Sequence, residues 1–257
     1  MPEKLRALAL GLSTFVLAAV VWEAVALSGV YPPALFPGLG QIAHAFLSLL
    51  LSGVLFWSTL GTLGRLLTGF VMGGSLGVVI GMVMGRYRLV EDFLLPVVSI
   101  CYPIPALAYT PLFVLWFGLG NLPSVLIVTV ATALQVIINT WKGVTAVKPI
   151  WLRSAKVMGA KERMIFRSVV LPGSLPYILT GLRIGLGAAW RVLVGVEMIT
   201  AVANGLGSLI FGAKQFLETD VMMSGIIVIG LVGFLLERYL FTEVERSTLM
   251  KWGMLQT

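Results

Sequence analysis

The chain has 257 residues, of which 58% are hydrophobic and 11% charged, whereas soluble domains carry about 25% charged residues. With a mean hydropathy of +1.00 it cannot be an ordinary soluble enzyme, and its net charge of +7 does not indicate nucleic acid, because the basic residues sit in short segments between apolar runs. The single cysteine, Cys101, excludes an internal disulfide, and the single histidine, His44, leaves no His/Cys cluster for structural zinc, so no metal site is expected.

A helix needs about 20 mostly apolar residues to cross a bilayer. Residues 7–27, after Lys4 and Arg6, form the first such stretch. Ala26 and Ser28 have the small size of a signal-peptide cleavage site, but Glu23 interrupts the apolar core and five more spans follow, so an uncleaved helix is expected. A turn rich in Pro and Gly (Pro32, Pro33, Pro37, Gly38, Gly40) leads to residues 41–51, where Ile42, Ala45, Phe46 and Leu49 have helical spacing; this segment is expected to lie along the membrane surface. Residues 66–84 form the second span. The third, 94–117, is broken by Pro96, Pro103, Pro105 and Pro111, with the plain alternative of a helix that ends near Ile100 and restarts after Pro105. Residues 125–138, continued through Trp141, 178–202, and 221–236, continued through Leu240, complete six predicted transmembrane helices in an all-α membrane protein.

Basic residues collect on the cytoplasmic side of membrane proteins. With the N-terminus inside, the inner segments hold 14 of the 18 basic residues: Lys4, Arg6, Arg86, Arg88, Lys142, Lys148, Arg153, Lys156, Lys161, Arg163, Arg167, Arg238, Arg246 and Lys251. The outer loops hold only Lys214, and Arg65, Arg183 and Arg191 fall within spans. Both termini are therefore expected in the cytoplasm, in a multi-pass protein of the cell inner membrane.

The second span carries Gly69, Gly73, Gly77, Gly81 and Gly85, one every fourth residue. Such a ridge lets another helix approach closely, which is what drives association in lipid. Within it, Gly73-Gly74-Ser75-Leu76-Gly77 matches the nucleophile-elbow pattern of serine hydrolases, but Ser75 lies inside an apolar run and the only histidine is elsewhere. There is no Gly-x4-Gly-Lys-Ser/Thr loop and no paired-carboxylate site, so no catalytic residue is assigned and the chain is expected to carry no ATPase of its own.

Charges in the hydrocarbon region are costly and usually face a cavity or the bundle interior. At 100° per residue, Arg183, Trp190, Arg191 and Glu197 fall within an arc of roughly 120°. Arg191, Glu197 and Arg183 are therefore candidates for a translocation pathway, and Pro103 and Pro105, which break the third span, for its wall; a structural network among these groups is the alternative. Glu23 and Arg65, each near the outer end of its predicted span, are expected to reach water by snorkelling.

The longest loop, 142–177, holds seven of the basic residues. Trp151, Ala155 and Met158 follow helical spacing, and a second basic stretch, 161–170, stops at Leu171-Pro172. Composition alone suggests a basic face near anionic headgroups. The order of residues is more specific: Arg153-Ser154-Ala155, three residues, Gly159, nine residues, then Val169-Val170-Leu171-Pro172 resembles the signature of ABC importer permeases, Glu-Ala-Ala, three residues, Gly, nine residues, Ile, one residue, Leu-Pro. Segments 102–109, 115–118, 171–176, 182–187 and 216–221 resemble the nitrate/sulfonate/taurine group of these permeases, and the likeness spans 35–236. One departure is the basic Arg153 at the signature's acidic position, with Ser154 at its first alanine, which puts a salt bridge from that position in doubt.

The resemblance implies a type I ABC importer permease fold in a single transmembrane domain, 1–257, with its core at 55–245. It implies a coupling helix built on Arg153, Ser154, Ala155, Met158, Gly159, Ala160 and Lys161, followed by Leu171 and Pro172, that docks on a separate ATPase. The implied partners are a second permease copy, forming a homodimer, two ATP-binding subunits and an extracytoplasmic solute-binding protein, with ATP and Mg held by the ATPase and no cofactor by this chain. The solute classes that the resemblance allows are sulfonates, taurine, nitrate, bicarbonate and small heterocycles such as vitamin precursors. An ion-driven secondary transporter or channel is the alternative, which would need paired ion sites that the spans do not offer.

Overall fold

The computed structural model describes residues 3–240, with side chains from 13 to 239. The described residues contain helices and turns but no strand. The helices are α1 (Glu3–Leu27), α2 (Leu39–Leu51), α3 (Val54–Arg86), α4 (Arg88–Cys101), α5 (Thr110–Phe117), α6 (Asn121–Thr145), α7 (Pro149–Val157), α8 (Glu162–Ile165), α9 (Leu171–Thr200), α10 (Leu206–Gln215) and α11 (Thr219–Leu235). Among the described residues, four helical segments are long and apolar enough to cross a membrane: Val54–Arg86, Asn121–Thr145, Glu162–Thr200 and Thr219–Tyr239. Arg88–Cys101 and Ala106–Phe117 form a fifth if the pair is one span, bent by 90°. The first predicted span, 7–27, falls on α1, whose side chains before Ser13 lie outside the described residues, as do Arg246 and Lys251.

The centre of the bundle is a zipper between α3 and α6. A Cβ added at Gly69, Gly77, Gly81 or Gly85 would lie 2.5–2.6 Å from a side-chain atom of Val128, Val136, Thr140 or Val144 respectively, and one at Gly73 would lie 2.4 Å from the Thr129 carbonyl oxygen and 2.8 Å from Thr132 Cβ. The glycine ridge thus meets Val128, Thr132, Val136, Thr140 and Val144, which recur at the same four-residue interval on α6. Stiff β-branched side chains seated on bare backbone maximise van der Waals contact without freezing many rotamers. On the other side of α6, Gly143 lies against Tyr177, and Gly181 against Asn139, so α9 is drawn in by the same device. Leu66, Val128, Leu186, Ala189, Trp190, Leu193 and Leu206 close the core between α3, α6, α9 and α10.

α3 differs from its prediction. The apolar stretch 66–84 is only part of a 33-residue helix, about 50 Å long, against a hydrocarbon core of about 30 Å. Its first three turns contain Trp57, Ser58, Thr59, Thr62 and Arg65, whose polarity hides the helix from hydropathy.

The third predicted span breaks at Pro103 and Pro105 but not at Pro96, which lies inside α4, or at Pro111, which sits in the first turn of α5: α4 ends at Cys101 and the chain restarts after Pro105 with a 3₁₀ turn, Ala106–Tyr109, before α5. Around α1 and α2, Glu23 does not snorkel. Its Oε2 accepts a 2.7 Å hydrogen bond from the Leu39 N–H, satisfying an orphan donor and placing negative charge at the positive end of α2. Trp22 stacks on Phe36 at 4.2 Å and donates from Nε1 to the Pro37 carbonyl. α2 buries Ile42 and Ala45 and packs on α11, where Ser224 Oγ donates to the Ile42 carbonyl.

Candidate functional site

The loop between α6 and α9 is built around a short rigid helix. In α7, Ala155 is buried against Val144, Ile165 and Val170, so one face of the helix is seated on the ends of α6 and α9. The other face is open, with Val157 88% and Met158 80% exposed. Gly159 ends the helix at φ +80°, a left-handed conformation that costs an L-residue with a Cβ. Its N–H donates to the Lys156 carbonyl and that of Ala160 to the Ala155 carbonyl, closing the last turn. Leu171 and Pro172 begin α9, which continues from α8 through a π-helical turn, Phe166–Val170, so the stop expected at Leu171-Pro172 is a local bulge within one helical segment, Glu162–Thr200. Arg153, Ser154 and Lys161 are exposed, and Arg153 has no ion-pair partner among the described residues. Glu162 is held by Arg86 at the end of α3 and by Lys156 Nζ at 3.1 Å. α7 thus touches the ends of α6 and α9 through Ala155 and reaches Arg86 of α3 through the exposed Lys156–Glu162–Arg86 chain.

Midway along the bundle, the broken helix opens a cleft of about 400 Å³ lined by Tyr102, Pro103, Pro105, Leu107, Gln135 and Arg191 among others. Tyr102 Oη donates to Gln135 Oε1 at 3.1 Å across its floor. A neighbouring cleft of about 320 Å³ is bordered by Arg183, Trp190, Arg191, Gly233 and Glu237. The structure thus brings Pro103, Pro105 and Arg191 together, and Arg183 to Arg191.

It does not bring Glu197 to them. Across the 120° arc that these residues share, Glu197 points into the bundle, Trp190 is buried in the core, and Arg191 is exposed at the other edge. The Glu197 carboxylate is fully buried and paired with Arg65, whose Nη2 lies 2.8 Å from Oε1 and whose Nε donates to the same oxygen at 2.9 Å. Thr62 Oγ1 and the Gly207 N–H both donate to Oε2 at 3.0 Å. Arg65 continues to Asn121 Oδ1 at 2.9 Å and to the Asn204 carbonyl at 2.7 Å. This corrects the snorkelling expectation for Arg65, which lies three turns inside α3 and is 7% exposed: the buried Glu197 carboxylate of α9 outcompetes water for its guanidinium.

The network fixes the sharp turn between α9 and α10, where Ala201 (φ +50°) and Asn204 (φ +52°) are both left-handed. No room remains for side chains there: a Cβ on Gly61 would sit 2.0 Å from the Asn204 oxygen and one on Gly207 2.2 Å from the Val194 oxygen. The sequence signal for the pair was two opposite charges near the same end of two spans. No group of three or more His, Cys, Asp and Glu able to hold a metal occurs among the described residues.

Residues 77–242, from the middle of α3 to beyond α11, match the family described as binding-protein-dependent transport system inner membrane component. The chain belongs to this family. The permease is 35% identical to the taurine transport system permease protein TauC of Escherichia coli strain K12 over 95% of its own length and 90% of that protein's. It is 34% identical to a putative aliphatic sulfonates transport permease protein of Bacillus subtilis strain 168, over 90% and 83% of the two chains. A solved amino acid ABC transporter superposes with a TM-score of 0.64 at 18% identity, covering 79% of the permease and 98% of that chain, which supports the importer permease fold.

Proposed function

We propose that this permease forms half of the solute pathway of an ABC importer and is driven by a separate ATPase that binds α7. The observation that carries the coupling role is α7 itself: a helix anchored through Ala155 to the membrane bundle while Val157 and Met158 stand open beside it. An apolar surface next to a basic rim suits a groove on a soluble partner, and a rigid helix transmits a rigid-body displacement. The excess of basic residues at this end favours its cytoplasmic placement, with both termini on the same side. The family implies a second permease copy, two ATP-binding subunits that hold ATP and Mg, and an extracytoplasmic binding protein. ATP hydrolysis then belongs to the partner, and this chain contributes path and lever.

In this proposal the path passes the clefts bordered by Pro103, Pro105, Arg191 and Arg183, while Glu197 shapes it through the α9–α10 turn instead of touching solute. The relatives named for taurine and aliphatic sulfonates, together with arginines in the spans, favour a small sulfonate-like anion or zwitterion. Co-purification with the ATPase tests the coupling role. Val157→Asp with Met158→Asp should reduce recovered ATPase by about tenfold or more, since burying a carboxylate against an apolar groove costs several kcal/mol, with the permease still monodisperse. Undiminished recovery of the ATPase would refute the assignment of α7.

A further inference from the structure

We propose that Arg191 is an anion-holding site for the transported solute, binding an oxyanion of the sulfonate kind in the cleft beside the broken helix. The inference rests on the reading above that this cleft lies on the solute path.

Arg191 is a charge deep within a span that has no partner among the described residues. Arg65 has Glu197, and Glu162, at the far end, has Arg86 and Lys156. Arg191 has no hydrogen-bond or ion-pair partner among the described residues, although it sits near the middle of the predicted span 178–202, roughly 17–20 Å from either end. That depth is beyond the reach of lipid headgroups. The carboxylates elsewhere are engaged or distant: Glu23 caps α2, Glu91 accepts from Trp141 Nε1, and Asp220 accepts from the Val221 N–H. Glu237 borders the neighbouring cleft, where it shares a second hollow with Arg183 and Arg238. One carboxylate there faces three guanidinium groups, so the region keeps a positive excess. An ionised group at membrane depth without a counter-ion is costly, and a passing anion supplies the counter-ion.

The cleft is also built for acceptors. Gln135 uses its Oε1 to take the Tyr102 hydroxyl proton, which leaves its amide N–H groups without an acceptor among the described residues. Gln135 and Arg191 both line this opening, with Pro103, Pro105 and Leu107 providing apolar contact, and the Arg191 guanidinium, which lies over Gly187, borders the neighbouring cleft as well. A planar fork of N–H donors matches the oxygens of a sulfonate or carboxylate group.

The probe is trifluoromethanesulfonate, read by ¹⁹F line broadening on the full chain assembled with its ATPase in phosphatidylcholine nanodiscs. The wild-type complex should broaden the line. Arg191→Gln should weaken the effect about tenfold or more, as expected for losing a charge-assisted hydrogen bond, whereas Arg191→Lys should retain it to within about threefold. Recovery of the ATPase with each variant verifies assembly. Broadening by Arg191→Gln equal to wild type, or none by the wild type, would overturn the assignment. ATP-driven uptake measured in parallel separates the two ideas: binding lost in Arg191→Gln while the wild type shows no uptake would leave the anion site standing and remove the importer reading.

Discussion

Truncating Arg65 to methionine removes the only cation that, among the described residues, pairs with Glu197, a carboxylate that is 0% exposed. Glu197 would keep Thr62 Oγ1 and the Gly207 N–H, but lose two guanidinium contacts at 2.8 and 2.9 Å. Asn121 Oδ1 and the Asn204 carbonyl would lose their donor as well. Breaking a buried pair by removing one partner costs about 3–5 kcal/mol, because the survivor is left charged and uncompensated. For a chain of this size that corresponds to a fall in thermal midpoint of roughly 10 °C. The double variant Arg65→Met with Glu197→Gln leaves no buried charge and should be more stable than Arg65→Met alone by about 1–2 kcal/mol. Thermal unfolding of purified protein in detergent, followed by intrinsic tryptophan fluorescence and by monodispersity on size exclusion, gives all the values. An Arg65→Met variant within about 1 kcal/mol of wild type, or a double variant that shows the full sum of the two single losses, would refute this reasoning, since either result requires a solvated or independent Glu197.

The glycines give a paired test. Gly77→Ala, whose Cβ would lie 2.6 Å from Val136 Cβ, should destabilise by about 1–3 kcal/mol, whereas Gly64→Ala, with nothing within 4 Å, should be neutral or stabilise by about 0.5–1 kcal/mol; thermal midpoints of the two variants check this. Thr132 Oγ1 is buried without a hydrogen-bond partner among the described residues, so Thr132→Val should stabilise by about 1 kcal/mol in the same assay. Gly159→Ala should cost about 1–2 kcal/mol locally and appear as faster amide exchange in Pro149–Val157, with α3 and α6 unchanged.

The break at Pro103 and Pro105 and the glycine ridge of α3 were legible because each is a local rule of chain geometry: proline removes a donor, and glycine at every fourth residue bares one helix face. Ala155, Gly159 and Pro172 stood out only through the family-like order of residues; their geometry, a buried seat, a left-handed turn and a proline after a π-helical turn, came with the fold. Arg65 and Glu197 were not, since 132 positions separate them and hydropathy assigns each only a depth. The same blindness shortened α3, in whose first three turns Ser58, Thr59, Thr62 and Arg65 interrupt the apolar run, Thr62 and Arg65 as members of this network. Glu23 could not be distinguished from a snorkelling carboxylate until α2 was placed with its N-terminus against it. On α9, sharing an arc was not enough to share a role: the 120° between Glu197 and Arg191 separates a core-facing group from a cleft-facing one.

The most direct test of the account is uptake of a radiolabelled alkanesulfonate into vesicles that contain the purified permease and its ATPase, with the binding protein added outside. The account predicts accumulation that requires all components and ATP on the side where α7 lies. Equal accumulation by the permease alone under an ion gradient, or accumulation driven by ATP supplied only on the opposite side, would contradict it.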